Sequence, residues 1–439
     1  FQQQQQQSSY LLAADLMGRS RSPRGSSSVG SHGGNSASSC GASVTVRLLS
    51  GRELLCWQSP RGQVGDLRRA VAKAAAAAAA AQKNDDGDLE KDLASAGASC
   101  WDLVLGGRLL QDSERVQSLG LLTDLYAVRV VPFRFLTASE DRLARIFDGV
   151  TGNCIHTFQG HRNVLKTAAF SCDGEFVITA SDDFHAALYV VSTGLCKWRF
   201  RGHRNNVNSA AISPNGCFAV TASDDGTARL LAMRTGQCQK TFLGHRNVVN
   251  HAVFSANGQQ VVTASDDGMA KVFSVDTGAC LQTFQGSGAM QAVACSPCST
   301  KVLAGCEDGT AKLFDMNTGA CKHNFKPHDH YVCSVAFSPD SGHVLTASID
   351  GFVRIFDSSS GALLQRINHP DAVSSAAFSF DGELVITACD DGIARIFSAE
   401  TGACKREYHV GDPNVASPVR TACFAPPSDA TSCRPIACC

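Results

Sequence analysis

The chain is short of charge. Only 18% of its 439 residues are Asp, Glu, Lys or Arg, and 39 basic side chains stand against 40 acidic ones, a net of −1. With no excess of either sign, no bulk field drives non-specific binding to nucleic acid or to a membrane surface; either would need a local patch. Long apolar runs are missing as well. No stretch of 18 or more apolar residues occurs, which excludes a membrane-spanning helix and stable membrane insertion. The apolar stretch Leu11–Ala14 is too short for the core of a secretory leader. Few charges together with 39 glycines argue against a coiled coil.

Cysteine, by contrast, is plentiful at 20 residues. In a short secreted chain that would be a disulfide framework. In a chain of this length without a leader the expected state is reduced, mostly buried thiols in a cytoplasmic protein, with the nucleus as the other option.

Residues 1–43 are low-complexity. A glutamine run (Gln2 to Gln7) leads through Arg19-Ser20-Arg21-Ser22-Pro23-Arg24 into Ser and Gly. Such a segment buries too little apolar surface to offset chain entropy and is expected to be a disordered tail. Met17-Gly18-Arg19-Ser20-Arg21-Ser22 fits the N-myristoylation pattern if Met17 is the start; a chance match in a Ser/Arg tail is the preferred reading.

Residues 44–131 read as one compact unit. Val44 to Leu49 and Glu53 to Trp57 form a predicted hairpin around Ser50-Gly51. Asp66 caps a predicted helix, Leu67 to about Gln82, lengthened by the alanines Ala74 to Ala81. After a polar loop (Asn84 to Cys100) come strands at Leu103-Val104-Leu105 and Leu125 to Val131. The β-β-α-β-β order, with Leu49-Ser50-Gly51-Arg52, Leu103 to Asp112 and Leu125 to Arg129, resembles ubiquitin. The resemblance implies an α+β β-grasp domain and places the family's apolar recognition patch on Leu49, Val104 and Val128. The last strand runs into Val131-Pro132-Phe133 with no free Gly-Gly end, so the unit is not expected to be conjugated.

One period dominates the rest. Thr137-Ala138-Ser139-Glu140-Asp141 recurs as Thr179 to Asp183, Thr221 to Asp225 and Thr263 to Asp267, and more weakly at Ala304 to Asp308, Thr346 to Asp350 and Thr387 to Asp391. The final aspartates lie 42, 42, 42, 41, 42 and 41 residues apart. A basic-hydrophobic strand follows each, then Thr-Gly (Ser360-Gly361 in the sixth unit), then a strand ending at Gly-His, as in Gly160-His161, Gly202-His203 and Gly244-His245. Asp-Gly and Thr-Gly tolerate φ > 0 and mark tight turns, so each unit reads as four short strands. Most strands are apolar or small on both faces, which suits sheets stacked face to face around an axis.

The period, Gly-His and Ser-x-Asp resemble the WD-repeat β-propeller family over about 295 residues. The Trp-Asp pair of the family is missing: Phe147, Tyr189, Leu231, Phe273, Phe314, Phe356 and Phe397 occupy the Trp position. The resemblance implies a mainly β fold, a seven-bladed propeller, and a buried His, Ser/Thr and Asp network in each blade. Carried over by spacing, it joins His161, Ser181 and Asp183; His203, Ser223 and Asp225; His245, Ser265 and Asp267; His328, Ser348 and Asp350; and His369 with Asp391. Ser287 replaces His in the fifth unit, expected to be the loosest blade. These sets mimic a hydrolase triad in composition, but a catalytic site needs one nucleophile beside one base, not a copy in every blade.

The first unit has no inner strand before Pro132. Ser417-Pro418-Val419-Arg420-Thr421-Ala422-Cys423-Phe424-Ala425-Pro426 carries that strand's pattern at the other end. The C-terminal segment is therefore expected to enter the first blade and close the ring, removing open sheet edges. The expected organisation is a tail at 1–43, the ubiquitin-like domain at 44–131, the propeller at 132–427 and a flexible Cys-containing tail at 428–439.

No metal or cofactor site is expected. Cys154, Cys196, Cys238, Cys280, Cys321 and Cys404 recur at one repeat position and are read as too far apart to bridge. Cys295-x-x-Cys298 with Cys306 lacks the second pair a structural zinc wants. The asymmetry lies in the loops after Gly-His: His161-Arg162-Asn163, with Lys166 just beyond, then His203-Arg204-Asn205 and His245-Arg246-Asn247. Loops at equivalent positions emerge on one face, so Arg162, Asn163, Lys166, Arg204, Asn205, Arg246 and Asn247 should form a basic arc suited to carboxylates or phosphates.

The expected function is a non-enzymatic scaffold or adaptor. Its propeller face would bind an acidic or phosphorylated partner protein, and the ubiquitin-like unit would dock a second, including ubiquitin-system components; it would act as one copy within a larger complex, with no nucleic-acid partner. The competing readings are an assembly carrier of the axonemal dynein type, which the repeat register permits without singling it out, and an enzyme with an unrecognised site.

Overall fold

The computed structural model describes residues 133–326, 328–411 and 417–427 in full, and N-terminal to them the backbone of five strands. Contacts divide the chain into two units, Phe1–Pro132 and Phe133–Cys439. The tails at 1–43 and 428–439, the helix at Leu67 to Gln82, the loop at Asn84 to Cys100 and Leu49 lie outside the described residues.

In the first unit the strands are β1 (Val44–Leu48), β2 (Glu53–Trp57), β3 (Trp101–Leu105), β4 (Arg108–Leu109) and β5 (Leu125–Arg129). They form one sheet in the order β2-β1-β5-β3-β4. The first strand lies parallel to the last, and the other pairings are antiparallel. Val104 pairs with Tyr126, and Val128 with Asp102.

The second unit is seven four-stranded antiparallel sheets with no helix among the described residues. Six are consecutive runs of strands, beginning at Leu165, Val207, Val249, Met290, Val332 and Val373. The seventh joins the two ends of the unit: Val419–Phe424 pairs with Arg134–Ser139, in the register Val419↔Ser139 through Phe424↔Phe135. Each innermost strand contacts the innermost strands on either side, from Leu165–Phe170 round to Val419–Phe424 and back. The ring is closed, and the missing inner strand comes from the C-terminal segment.

The burial pattern explains why sheets of this composition stack. Second strands such as Phe176–Ser181 and Gln260–Ser265 are buried on both faces after their first residue. Outermost strands such as Cys154–Phe158 are mostly exposed until a terminal Phe. The core is a series of clusters between neighbouring blades. Ala180 and Leu188 meet Val207 and Leu231 in one, and Phe135 and Phe147 meet Ile386, Tyr408 and Phe424 in another. Burying each large side chain contributes roughly 1.5–3 kcal/mol, so stability is spread around the ring.

The turn between the second and third strands of each blade needs one residue in the left-handed region. In the fifth blade it is Gly309, with φ +80°. A Cβ there would stand 2.2 Å from the His328 carbonyl oxygen and 2.9 Å from its carbon. Gly309→Ala should therefore cost about 2 kcal/mol or more, and thermal unfolding reads it. Gly194→Ala, equally left-handed at +70° but with nothing within 4 Å, should cost about half as much.

Candidate functional site

The Gly-His loops and the Ser-x-Asp turns meet at one end of each blade. His161 Nδ1 lies 2.9 Å from Asp183 Oδ2, and its Nε2 lies 2.8 Å from Thr179 Oγ1. The same pair of contacts recurs at His203 with Asp225 and Thr221, at His245 with Asp267 and Thr263, and at His328 with Asp350 and Thr346. Each histidine is thus clamped between a carboxylate and a hydroxyl.

The hydroxyl is not the serine that the spacing picked. Ser181 instead donates to the Asn163 carbonyl and accepts from the Asp183 amide, fastening turn to loop. Ser223, Ser265 and Ser348 donate likewise to the carbonyls of Asn205, Asn247 and His330. Thr179 and Ser181 sit two residues apart on one strand and share a face, so spacing alone could not choose between them.

The pairing of His369 with Asp391 is also corrected. His369 Nε2 meets Thr387 at 2.9 Å, but its buried Nδ1 has no partner. Asp391 pairs with Arg395 at 2.7 Å. The next residue also differs from three of the clamps. In three blades the amide after the histidine donates to the aspartate, as Arg162 N does to Asp183 Oδ2 at 3.0 Å; here that residue is Pro370, which has no N–H. In the fifth blade Ser287 keeps a link by bonding to Thr310 at 2.7 Å, while Thr310 donates to Asp308.

Charge states follow from burial. Desolvation pushes His203 and His245 below the ordinary imidazole value, against the raising effect of Asp225 and Asp267. Burial would raise Asp225, but hydrogen bonds from Thr227 and His203 outweigh it and hold the carboxyl at about 2. A neutral imidazole that donates from Nδ1 to a carboxylate accepts at Nε2, so the threonine O–H donates. Thr, His and Asp then stand in the order of a hydrolase triad. Yet Thr179, Thr221, Thr263 and Thr346 are fully buried, so no substrate reaches these hydroxyls. The clamps hold loops.

What the clamps hold is exposed. Arg162, Arg204 and Arg246 are exposed, and among the described residues no ion pair engages their guanidinium groups. Asn163, Asn205 and Asn247 are turn residues: each side-chain oxygen accepts from the next backbone amide. Lys166 is tied to Asp182 at 3.3 Å. The arc's cationic character thus rests on the three arginines. Near Arg246 a cleft of about 380 Å³ runs between the Asp224–Gly226 turn and the Leu243–Asn247 loop. Among the described residues no three His, Cys, Asp or Glu side chains are placed to hold a metal, and no helix is long and apolar enough to cross a membrane. Among the described residues no two cysteines are joined in a disulfide.

A closed ring of seven four-stranded sheets, its loops pinned by a buried His-Asp pair, defines the propeller class of repeat protein. The family model for the WD domain, G-beta repeat matches residues 152–189, 194–230, 236–274, 278–315, 319–357 and 361–398, together just over half of the sequence; the chain belongs to this family. Propellers of the family generally serve as protein-binding scaffolds and are typically non-enzymatic. No curated protein sequence matches the chain. The first blade, assembled from both ends, accounts for the seventh sheet beyond the six matched stretches.

Proposed function

We propose that the chain is a non-enzymatic scaffold whose Arg162, Arg204 and Arg246 loops hold an acidic or phosphorylated segment of a partner protein. The carrying observation is that these exposed guanidiniums have no ion-pair partner among the described residues while the loops beneath them are pinned by buried clamps. Such preorganised forks suit carboxylate or phosphate oxygens. The chain works as one copy in a larger assembly, in the cytoplasm or nucleus. We further read residues 44–131 as a ubiquitin-like unit that docks a second protein through Leu49, Val104 and Val128, a component of the ubiquitin system being the favoured class. The support is the strand order β2-β1-β5-β3-β4 with its parallel central pair.

Affinity capture from cell extract with the full chain and with the Arg162→Glu, Arg204→Glu, Arg246→Glu triple variant tests the first reading. Exposed substitutions of this kind should leave the melting temperature within about 2 °C. The variant should lose most captured proteins at least tenfold. An unchanged set of captured proteins would remove the arc from the function; loss only on changing Leu49, Val104 and Val128 to Asp would move it to the N-terminal unit.

A further inference from the structure

The seven turns between second and third strands share one left-handed position. It is Gly226, Gly268, Gly309, Gly351 and Gly392 in five blades, with φ from +78° to +81°. In the first blade it is Arg142 at +73°, and in the second Phe184 at +71°. A side chain with a Cβ is strained there, and a bulky one more than most. Burial does not offset that strain. Phe184 is 44% exposed and Arg142 is exposed, and Phe184 belongs to no core cluster and makes no ring contact among the described residues. A strained backbone carrying an exposed aromatic in a chain that uses glycine at the five sister positions is a mark of function rather than folding.

The repeat places both residues. In the third blade Gly226 shares its cleft with Arg246 of the following loop, and a Cβ on it would lie 3.5 Å from the Asn247 carbonyl. One repeat earlier, Phe184 stands in the same relation to the Arg204 loop. One repeat earlier again, Arg142 stands so to the Arg162 loop. Arg142, Arg162, Phe184, Arg204 and Arg246 therefore follow one another along this end of the ring. The carboxylates among them are engaged, Asp141 with Arg145, Asp182 with Lys166, Asp183 and Asp225 with their histidines and Glu140 with Arg420, while Asp224 accepts from the Asn208 amide.

We infer that Phe184 and Arg142 are the anchors of the docking face, and that its occupant is an acidic protein segment with one large apolar side chain set among its carboxylates. The charge of the four arginines selects the acids, and Phe184 takes the apolar group, as buried aromatic and arginine anchors do at other interfaces. The inference rests on the scaffold reading and adds the residues and the pattern of the segment.

Fluorescence anisotropy on the full chain tests it with three labelled dodecapeptide pools: Glu-rich with a central Phe or Leu, Glu-rich with a central Ala, and Lys-rich with a central Phe or Leu. The wild type should bind the first pool about tenfold more tightly than the second, and the third not at all. Phe184→Gly and Phe184→Asn should both erase that tenfold preference while raising the melting temperature by about 2 °C, because both residues accept the left-handed turn. Arg142→Gly should weaken both acidic pools about threefold. If the triple arginine variant loses the acidic pools but Phe184→Gly keeps the preference, the anchors are wrong and the basic arc survives. If the wild type prefers the Lys-rich pool, or binds none, both the anchors and the acidic occupant fall.

Discussion

Deleting residues 415–439 should lower the melting temperature by more than about 10 °C. The deletion removes Val419, Ala422, Cys423 and Phe424, all buried between the first blade and its neighbours. Val and Phe alone carry roughly 1.5–3 kcal/mol each of burial. It also strips the ladder from Arg134–Ser139, and with it Arg420, which bridges Glu140 and Asp390, and Thr421, whose hydroxyl donates to the Lys166 carbonyl. The first blade would be left with three strands, and the seventh and second would face an open edge. A chain cut after residue 427 should melt like the full chain, and a synthetic peptide of residues 415–427 should restore much of the lost stability. Unchanged melting in the first deletion would mean that ring closure contributes nothing.

Acid should destabilise the propeller well before its carboxylates are protonated. Burial pushes His328 from an ordinary 6.5 to about 4, with Asp350 opposing and Arg354 adding to the shift. Burial, helped by the charge of Arg395, takes His369 to about 4, and burial, against an opposing hydrogen bond with the Val293 backbone, takes His251 to about 4. The unfolded chain therefore binds more protons than the folded one between pH 6.5 and 4. Stability from these groups is intact above pH 6.5 and is lost as the pH falls toward 4. A buried imidazole with that shift gives up about 2–3 kcal/mol at pH 4.5. The aspartates do not add to this, because Asp183, Asp225, Asp267 and Asp350 are all held below 3.8 in the folded state, against burial, chiefly by hydrogen bonds. Melting temperatures at pH 7, 6, 5 and 4.5 should fall by about 10 °C or more in total. His369→Gln, whose amide still reaches Thr387 and does not titrate, should flatten the curve. A melting temperature constant down to pH 4.5 would overturn this account.

The ring was legible because each of its signals is local and repeated. Asp-Gly turns mark five of the seven blades and Thr-Gly turns six, and the inner-strand pattern of Val419 to Phe424 matches its counterparts wherever it lies in the chain. The clamp was legible only in part. His161 and Asp183 are fixed by their separation, but Thr179 and Ser181 lie on the same face of one strand, and only the geometry shows that Thr179 meets the ring while Ser181 meets the Asn163 carbonyl. His369 could have been questioned from Pro370, since a missing N–H is written in the sequence; the capture of Asp391 by Arg395 could not. The anchors at Arg142 and Phe184 were visible as gaps in a glycine pattern. Only the dihedral angles show that the turn keeps its left-handed form without the glycine.

The closing pairs join residues far apart along the chain: Arg420 bonds to Glu140, 280 positions earlier. At ordinary rates of protein synthesis, on the order of half a minute separates the emergence of those two partners from the ribosome. During that interval the earliest sheet waits unfinished, with the apolar strand around Phe135 and Leu136 available to any passing β-edge. A chain truncated before Val419 would leave it so permanently. An unpaired Arg134–Ser139 edge therefore sets a chain that ends before Val419 apart from one whose ring is closed.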